Sequence, residues 1–287
     1  MARNFTRVGV IGFGTMGSGI AQVAAAAGHQ VVVLEISADA IETGRRRLAA
    51  FVAGGVARGK TDQATADALL ARVTGATDAA ALADCDLVIE SSTEDLAGKR
   101  AVLSTVAAAV RPETVITTNT SSLSVTGLAA AVGDPGRFAG LHFFNPAPLM
   151  PLVEVVPGAS TSPDVVTDLV AWVRAAGKEP VVAKDQPGFL VNSVFMPYLN
   201  QAIQAYDDGL ASAADLDTAV RLGLGYPKGP LELLDVIGLD VHLHATSGAY
   251  ADTADPAYAP PPLLRRLVAA GRLGRKSGAG IVPEEDR

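Results

Sequence analysis

A short apolar run, Arg7-Val8-Gly9-Val10-Ile11, leads into Gly12-Phe13-Gly14-Thr15-Met16-Gly17 and then into an alanine-rich stretch from Ser18 to Ala27 that stops at Gly28. A strand, a tight glycine turn and a helix in that order constrain the chain more than any other feature, because the unit opens a parallel α/β sheet. Gly12 makes the turn, Gly14 lets backbone approach a pyrophosphate, and Gly17 lets helix and strand pack closely. The helix start at Thr15 and Met16 offers unpaired N–H groups and the positive end of a helix dipole to phosphate. A second apolar run, Val31-Val32-Val33-Leu34, ends in Glu35. An acidic residue about 20 positions into such a unit reads the ribose hydroxyls of NAD, and its charge disfavours the extra phosphate of NADP.

The alternation continues. Residues 37 to 72 carry a helical pattern in two arms, separated by Gly54-Gly55 and Gly59. Leu87-Val88-Ile89-Glu90 reads as a strand, Leu96 to Val110 as a helix, and Val115-Ile116-Thr117-Thr118 as a strand leading to Asn119-Thr120-Ser121-Ser122. Ligands of such sheets bind beyond the carboxyl ends of the strands, and Glu94, Lys99, Asn119 and Ser121 all follow such ends. Ser162-Pro163 starts a helix that runs through Trp172 to Gly177, and Val181 to Ala183 is the last strand. After Lys184 the pattern is helical: Phe189 to Asp208 with a kink at Pro197, Ser212 to Leu222, Pro230 to Tyr250, and Leu263 to Ala270. The expected organisation is therefore a doubly wound, mainly parallel sheet over residues 1–184, with a helical arm near 37–72, and an all-helical domain over 185–287. In the latter, Asn192 is a polar amide near the domain junction, where ligands usually lie, while Leu190, Val194, Leu199, Ile203 and Tyr206 form a core or subunit-contact stripe.

Gly140 to Glu154, GLHFFNPAPLMPLVE, holds the most chemistry. Two apolar runs, Phe138 to Phe144 and Leu152 to Val156, flank Pro146, Pro148 and Pro151, so the chain folds back here. Centring the reversal near Pro148 sets His142 opposite Glu154, at about the 5 Å spacing of cross-strand neighbours. A carboxylate on one imidazole nitrogen fixes the tautomer and stabilises the imidazolium once a proton is taken up, which suits a general base. A structural His–Glu pair within a sheet is the other reading, and the pair by itself does not choose between them.

Composition narrows the function classes. With 287 residues, 49% hydrophobic and 18% charged, the chain suits about two globular domains. A net charge of -7 argues against nucleic-acid or membrane-surface binding. Within this acidic chain Arg45, Arg46, Arg47, Arg58 and Lys60 gather positive charge on the helical arm, as a solvated face or as a seat for an anionic substrate handle. The single cysteine, Cys85, reads as a small buried residue and fits a reducing cytoplasm. No run is apolar over a membrane's width, and the amino terminus lacks a cleavage pattern. His242 and His244, two apart, do not match the spacing of a zinc site.

Six stretches together resemble the 3-hydroxyacyl-CoA dehydrogenases, in particular the short bacterial 3-hydroxybutyryl-CoA dehydrogenases: GFGTMGSGIA (12–21), NTSSLS (119–124), GLHFFNPAPLMPLVEVV (140–156), KDQPGFLVN (184–192), LGLGYPKGPLELLD (222–235) and GRLGRKSGAG (271–280). The likeness covers nearly the whole chain. It implies that His142 is the catalytic base and Glu154 its partner, that Ser121 and Asn192 hydrogen-bond the reacting oxygen, and that Asn145 supports the site from the cofactor side. It further implies that Glu35, Glu94, Lys99 and Asn119 line the NAD site, that the arm carrying Arg46 and Lys60 lies towards coenzyme A, and that the chain dimerises through its helical domain. Three departures stand out: Pro151 where the family has Lys, Ser91-Ser92-Thr93 in place of an apolar stretch, and Gly280-Ile281-Val282-Pro283 in place of a Gly-Phe-Tyr ending. Three readings follow: a 3-hydroxyacyl-CoA dehydrogenase; a relative oxidising a small polar hydroxyacyl unit on an acyl carrier protein; and a non-catalytic NAD-binding protein, against which the Ser121, His142, Glu154 and Asn192 set speaks.

Overall fold

The computed structural model describes Arg3 and residues 5–282. Its first half alternates β1 (Arg7–Ile11), α1 (Thr15–Ala26), β2 (Gln30–Leu34), α2 (Ala38–Ala57), α3 (Gln63–Ala71), β3 (Val73–Ala76), β4 (Leu87–Glu90), α4 (Leu96–Ala109), β5 (Val115–Thr118) and α5 (Val125–Ala129). There follow β6 (Phe138–Phe143), β7 (Leu152–Pro157), α6 (Pro163–Ala175) and β8 (Glu179–Val182). The strands form one sheet in the order β3-β2-β1-β4-β5-β6-β7-β8, parallel except where β7 runs antiparallel to β6. This is the doubly wound, mainly parallel sheet expected from the sequence. Its order reverses between β1 and β4, which opens the crevice where such folds bind nucleotides.

Burial on both faces explains why the strand runs are continuous rather than alternating. Val8, Val10, Val33, Leu87, Ile89 and Val115 are all fully enclosed, each contributing about 1.5–3 kcal/mol relative to exposure. Cys85 is buried as well, and burial pushes its thiol up to about 11, so it carries no thiolate at neutral pH.

The contacts divide the chain into Met1–Asp185 and Gln186–Arg287. The second unit is helical: α7 (Val191–Asp207), α8 (Ala213–Leu224), α9 (Pro230–Ile237), α10 (Leu239–Thr253) and α11 (Pro262–Ala269). Its core is built from Leu199, Ile203, Leu231, Leu234, Leu239 and Leu264.

Several expectations need correction. β3 and α5 are absent from the sequence reading, because each is too short to show a period. The helix expected over Pro230 to Tyr250 is two helices, since Gly238 sits at φ 103, outside helical space. The helix expected from Phe189 starts at Val191, with Phe189 itself at φ 50, which makes Asn192 its second residue rather than one turn in. Of the α7 stripe, Leu199 and Ile203 are buried, whereas Leu190 and Val194 are exposed. Pro283 lies outside the described residues.

Candidate active site

The glycine turn behaves as its spacing implies. Gly12 has φ 88, and a Cβ there would stand 2.8 Å from the Ser91 carbonyl oxygen. A Cβ on Gly17 would collide with the Gly12 carbonyl, so this glycine makes room for the turn itself. Above Gly14 there is open space, and α1 begins there without a side-chain cap, leaving the N–H groups of its first turn, at Thr15 and Met16, directed outward. Beside this turn lies a cleft of about 580 Å³ lined by Gly12, Gly14, Glu35, Ser91, Ser92 and Thr93 among others. Glu35 accepts the backbone N–H of Phe13 and of Ile36, both at 2.8 Å, which fixes its carboxylate at the cleft wall with lone pairs remaining for ribose. An uncapped helix start, a space no Cβ fills and a fixed carboxylate suit a dinucleotide.

The end of β4 hides a second charged group. Glu90, fully buried, accepts from the Lys99 ammonium at 2.8 and 2.9 Å, from Ser92 Oγ at 2.6 Å and from Thr118 Oγ1 at 2.6 Å. Lys99 is itself 1% exposed, and its remaining reach goes to Glu94 at 3.3 Å and the Ser92 carbonyl at 3.3 Å. The structure therefore places the Lys99 ammonium beneath the cleft wall, saturated by protein oxygens. Sequence reading missed Glu90; an acid closing an apolar strand, with a lysine nine positions on, was the available signal. Glu94 in turn accepts from the Thr120 hydroxyl, the Ser121 and Ser122 N–H groups at 3.1 and 3.3 Å, and Ser122 Oγ at 2.9 Å. Burial pushes Glu94 up, but the Thr120 hydroxyl, the Lys99 charge and the Ser122 and Ser121 donors outweigh it and hold the carboxyl below the ordinary range. Glu94 thus clasps the loop that carries Ser121, whose side chain is exposed.

β6 and β7 pair in the register His142↔Glu154, with His142 Nδ1 2.6 Å from Glu154 Oε2, and both residues buried. The ring of Phe144 lies 4.7 Å from that of His142. Asn119, just past β5, accepts the backbone N–H of Phe143 at 2.8 Å and so ties that strand end to the residue after the histidine. Asn145 is exposed at the start of the reversal and, with Thr15, Gln22, Arg47 and Phe51, lines a smaller cleft of about 210 Å³. On α2, Arg46 is exposed and paired with Glu42 at 3.6 Å, Arg47 donates to the Phe13 carbonyl at 3.0 Å, and Lys60 is exposed beyond the helix. In the helical unit, Asn192 stands in the first turn of α7.

The fold and this arrangement define a dinucleotide-binding oxidoreductase with a histidine–carboxylate pair. Residues 7–186 match the NAD binding domain of 3-hydroxyacyl-CoA dehydrogenase and residues 188–284 match its C-terminal domain. The chain belongs to the 3-hydroxyacyl-CoA dehydrogenase family. It is 45% identical to a 3-hydroxyadipyl-CoA dehydrogenase of Escherichia coli over 98% of its own length, spanning 59% of that longer relative. It is 41% identical to a 3-hydroxybutyryl-CoA dehydrogenase of Bradyrhizobium diazoefficiens, with 98% and 96% of the two chains covered. The crystal structure of (S)-3-hydroxybutyryl-CoA dehydrogenase from Ralstonia eutropha superposes with a TM-score of 0.94 at 40% identity, covering 97% of this chain and 99% of that one.

Proposed function

We propose that this chain is an NAD-dependent dehydrogenase that interconverts 3-hydroxyacyl and 3-oxoacyl thioesters, with 3-hydroxybutyryl-CoA as its substrate. The observation that carries the reading is the buried His142–Glu154 pair at the carboxyl edge of the sheet that also forms the dinucleotide cleft. Glu154 on Nδ1 leaves Nε2 as the nitrogen that takes the proton of the 3-hydroxyl, and the carboxylate stabilises the resulting imidazolium. Bound NAD supplies the hydride acceptor, and NADH the donor in reverse. Ser121 and Asn192 hydrogen-bond the reacting oxygen, Asn145 supports the site, and Glu35 selects NAD through the ribose. Glu94 holds the Ser121 loop, and Lys99 and Asn119 act from behind the cofactor wall. Arg46 and Lys60 receive the anionic carrier.

Two of the departures from the family bear on other things than the acyl group. Ser91, Ser92 and Thr93 line the dinucleotide cleft. In the loop that has Pro151, the Ala147, Pro148 and Met150 carbonyls accept from the Lys178 ammonium. Coenzyme A is preferred as carrier over an acyl carrier protein because relatives matched over nearly their whole length are named for CoA thioesters. The helical unit leaves Val194, Leu210, Leu222 and Leu224 at 63–75% exposure, which supports dimerisation through that unit. Among the described residues no helix is long and apolar enough to cross a membrane. A cytoplasmic setting belongs to the same reading, supported by the lone buried Cys85.

Turnover of acetoacetyl-CoA with NADH, set against the same acyl group on a carrier protein, tests the proposal. Turnover of the carrier-bound form alone would replace the CoA reading, and turnover of neither would remove the activity.

A further inference from the structure

The reversal between His142 and Glu154 has an acceptor problem written into its sequence. Pro146, Pro148 and Pro151 contribute carbonyls but no N–H groups. Of the donors the loop retains, the N–H groups of Leu149 and Met150 both go to the Pro146 carbonyl, at 2.9 and 3.0 Å. The carbonyls of Ala147, Pro148 and Met150 must be served from elsewhere. Lys178 serves all three: its Nζ lies 2.8 Å from the Ala147 oxygen, 3.0 Å from that of Pro148 and 2.8 Å from that of Met150. An ammonium has three donors and no acceptor, so its hydrogen-bonding capacity is fully used here.

Local structure aims it there. α6 ends in a two-bond closure, Gly177 N–H to Arg174 O at 3.0 Å and Lys178 N–H to Val173 O at 3.1 Å, with Gly177 at φ 73. Lys178 is the residue that emerges from this turn, and Glu179 N–H then takes the Pro151 carbonyl at 2.8 Å as β8 begins. Partial burial draws the lysine below its ordinary range, consistent with an ammonium turned into the protein.

What the clasp holds matters for the chemistry. Asn145, Pro146, Ala147 and Pro148 form one wall of the 210 Å³ cleft whose other wall is α1 and α2. The reversal rests on Gly19 of α1, where even a Cβ would come within 3.0 Å of Pro148 Cδ and 3.1 Å of Ala147 Cβ. A wall seated this closely transmits small displacements rather than absorbing them.

We propose that Lys178 is a positioning residue for the dehydrogenase: by clasping the Ala147, Pro148 and Met150 carbonyls it sets the wall against which the acyl thioester is held, without touching the reacting atoms. This rests on the reading of the site given above for its catalytic consequence, but not for the clasp itself. Lys178→Met keeps the aliphatic stem and removes the donors. By hydrogen-exchange mass spectrometry, the segment containing Leu149 and Met150 should lose protection while β6 and β7 keep theirs. KM for acetoacetyl-CoA should rise about tenfold or more, with kcat and the NADH dissociation constant near wild type. Lys178→Arg, which retains a cation with several donors, should recover most of both effects. Unchanged exchange in the reversal would overturn the clasp. A loosened reversal with unchanged KM, or an equal loss of NADH affinity, would overturn the positioning role. If wild-type protein turned over no thioester, the proposed activity would fail while the exchange result still decided the clasp.

Discussion

Asn119 accepts the backbone N–H of Phe143 at 2.8 Å, so an amide at the carboxyl end of β5 pins the residue that follows His142 on β6. The loop after β5 and the His142–Glu154 pair are thereby joined at the carboxyl ends of two neighbouring strands. His142, Glu154, Asn119 and the Glu94 clasp on the Ser121 loop form one connected framework, from which the following outcomes are expected.

His142→Gln should lower kcat by about 10²- to 10⁴-fold, the range of general-base catalysis, with NADH binding close to wild type. Glu154→Gln should lower kcat by less if the carboxylate only orients the ring, and by as much if it must stabilise the imidazolium. Steady-state kinetics with acetoacetyl-CoA, paired with NADH titration by fluorescence, checks both. Wild-type turnover in His142→Gln would return the pair to a purely structural role.

Glu35 should make the wild type favour NAD over NADP in kcat/KM. Its carboxylate also holds Phe13 and Ile36 N–H groups, so Glu35→Ala should lose NAD affinity, and adding Ile36→Arg should raise NADP efficiency relative to NAD. Equal efficiency of the wild-type chain with the two cofactors would contradict this.

Lys99→Met strands the Glu90 carboxylate, which is 0% exposed. Removing one partner of a buried pair costs about 3–5 kcal/mol, and the loss should appear as a lower urea midpoint. The double variant Glu90→Gln, Lys99→Met should recover much of it, because no uncompensated charge remains. A loss in the double variant equal to the sum of the Lys99→Met and Glu90→Gln losses would show that the pair is not coupled.

His242 sits buried in the helical unit, its Nε2 3.0 Å from Asn200 Oδ1, while the Asn200 amide nitrogen donates to Thr246 Oγ1 at 2.8 Å and the Ala257 carbonyl at 3.1 Å. Those acceptors orient the amide so that its oxygen faces the imidazole, which therefore carries its proton on Nε2. Burial pulls the histidine down to about 4. An unfolded histidine takes its proton near 6.5, so the stabilisation is complete above that value and is lost as pH falls towards 4, amounting to about 3 kcal/mol. Urea midpoints from pH 7.5 to 4 should fall more steeply for wild type than for His242→Gln. Parallel curves would show that this histidine does not report the acid transition.

Reversing the charge of the arm, Arg46→Glu with Lys60→Glu, should raise KM for acetoacetyl-CoA and flatten its salt dependence, since both side chains are exposed and screening acts on them directly. Melting temperature should change little. A KM that stays the same for every thioester tested would exclude the arm from substrate binding.

The sequence by itself determined whatever depends on neighbours along the chain. The strand–glycine turn–helix unit, the acidic end of β2 and the opposition of His142 and Glu154 were legible because each rests on periodicity or on a turn closing over few residues; the last two residues are only 12 apart. Weak local signals hid β3, α5 and the break at Gly238. Tertiary structure alone decided which charges meet across long separations. Lys178 reaches the reversal from about 30 residues away. A cation missing from the reversal at Pro151 reads as a loss in one dimension, yet the acceptors of a proline-rich loop have to be satisfied somewhere. In the folded chain the ammonium of Lys178 satisfies them, and no local pattern specifies that side chain.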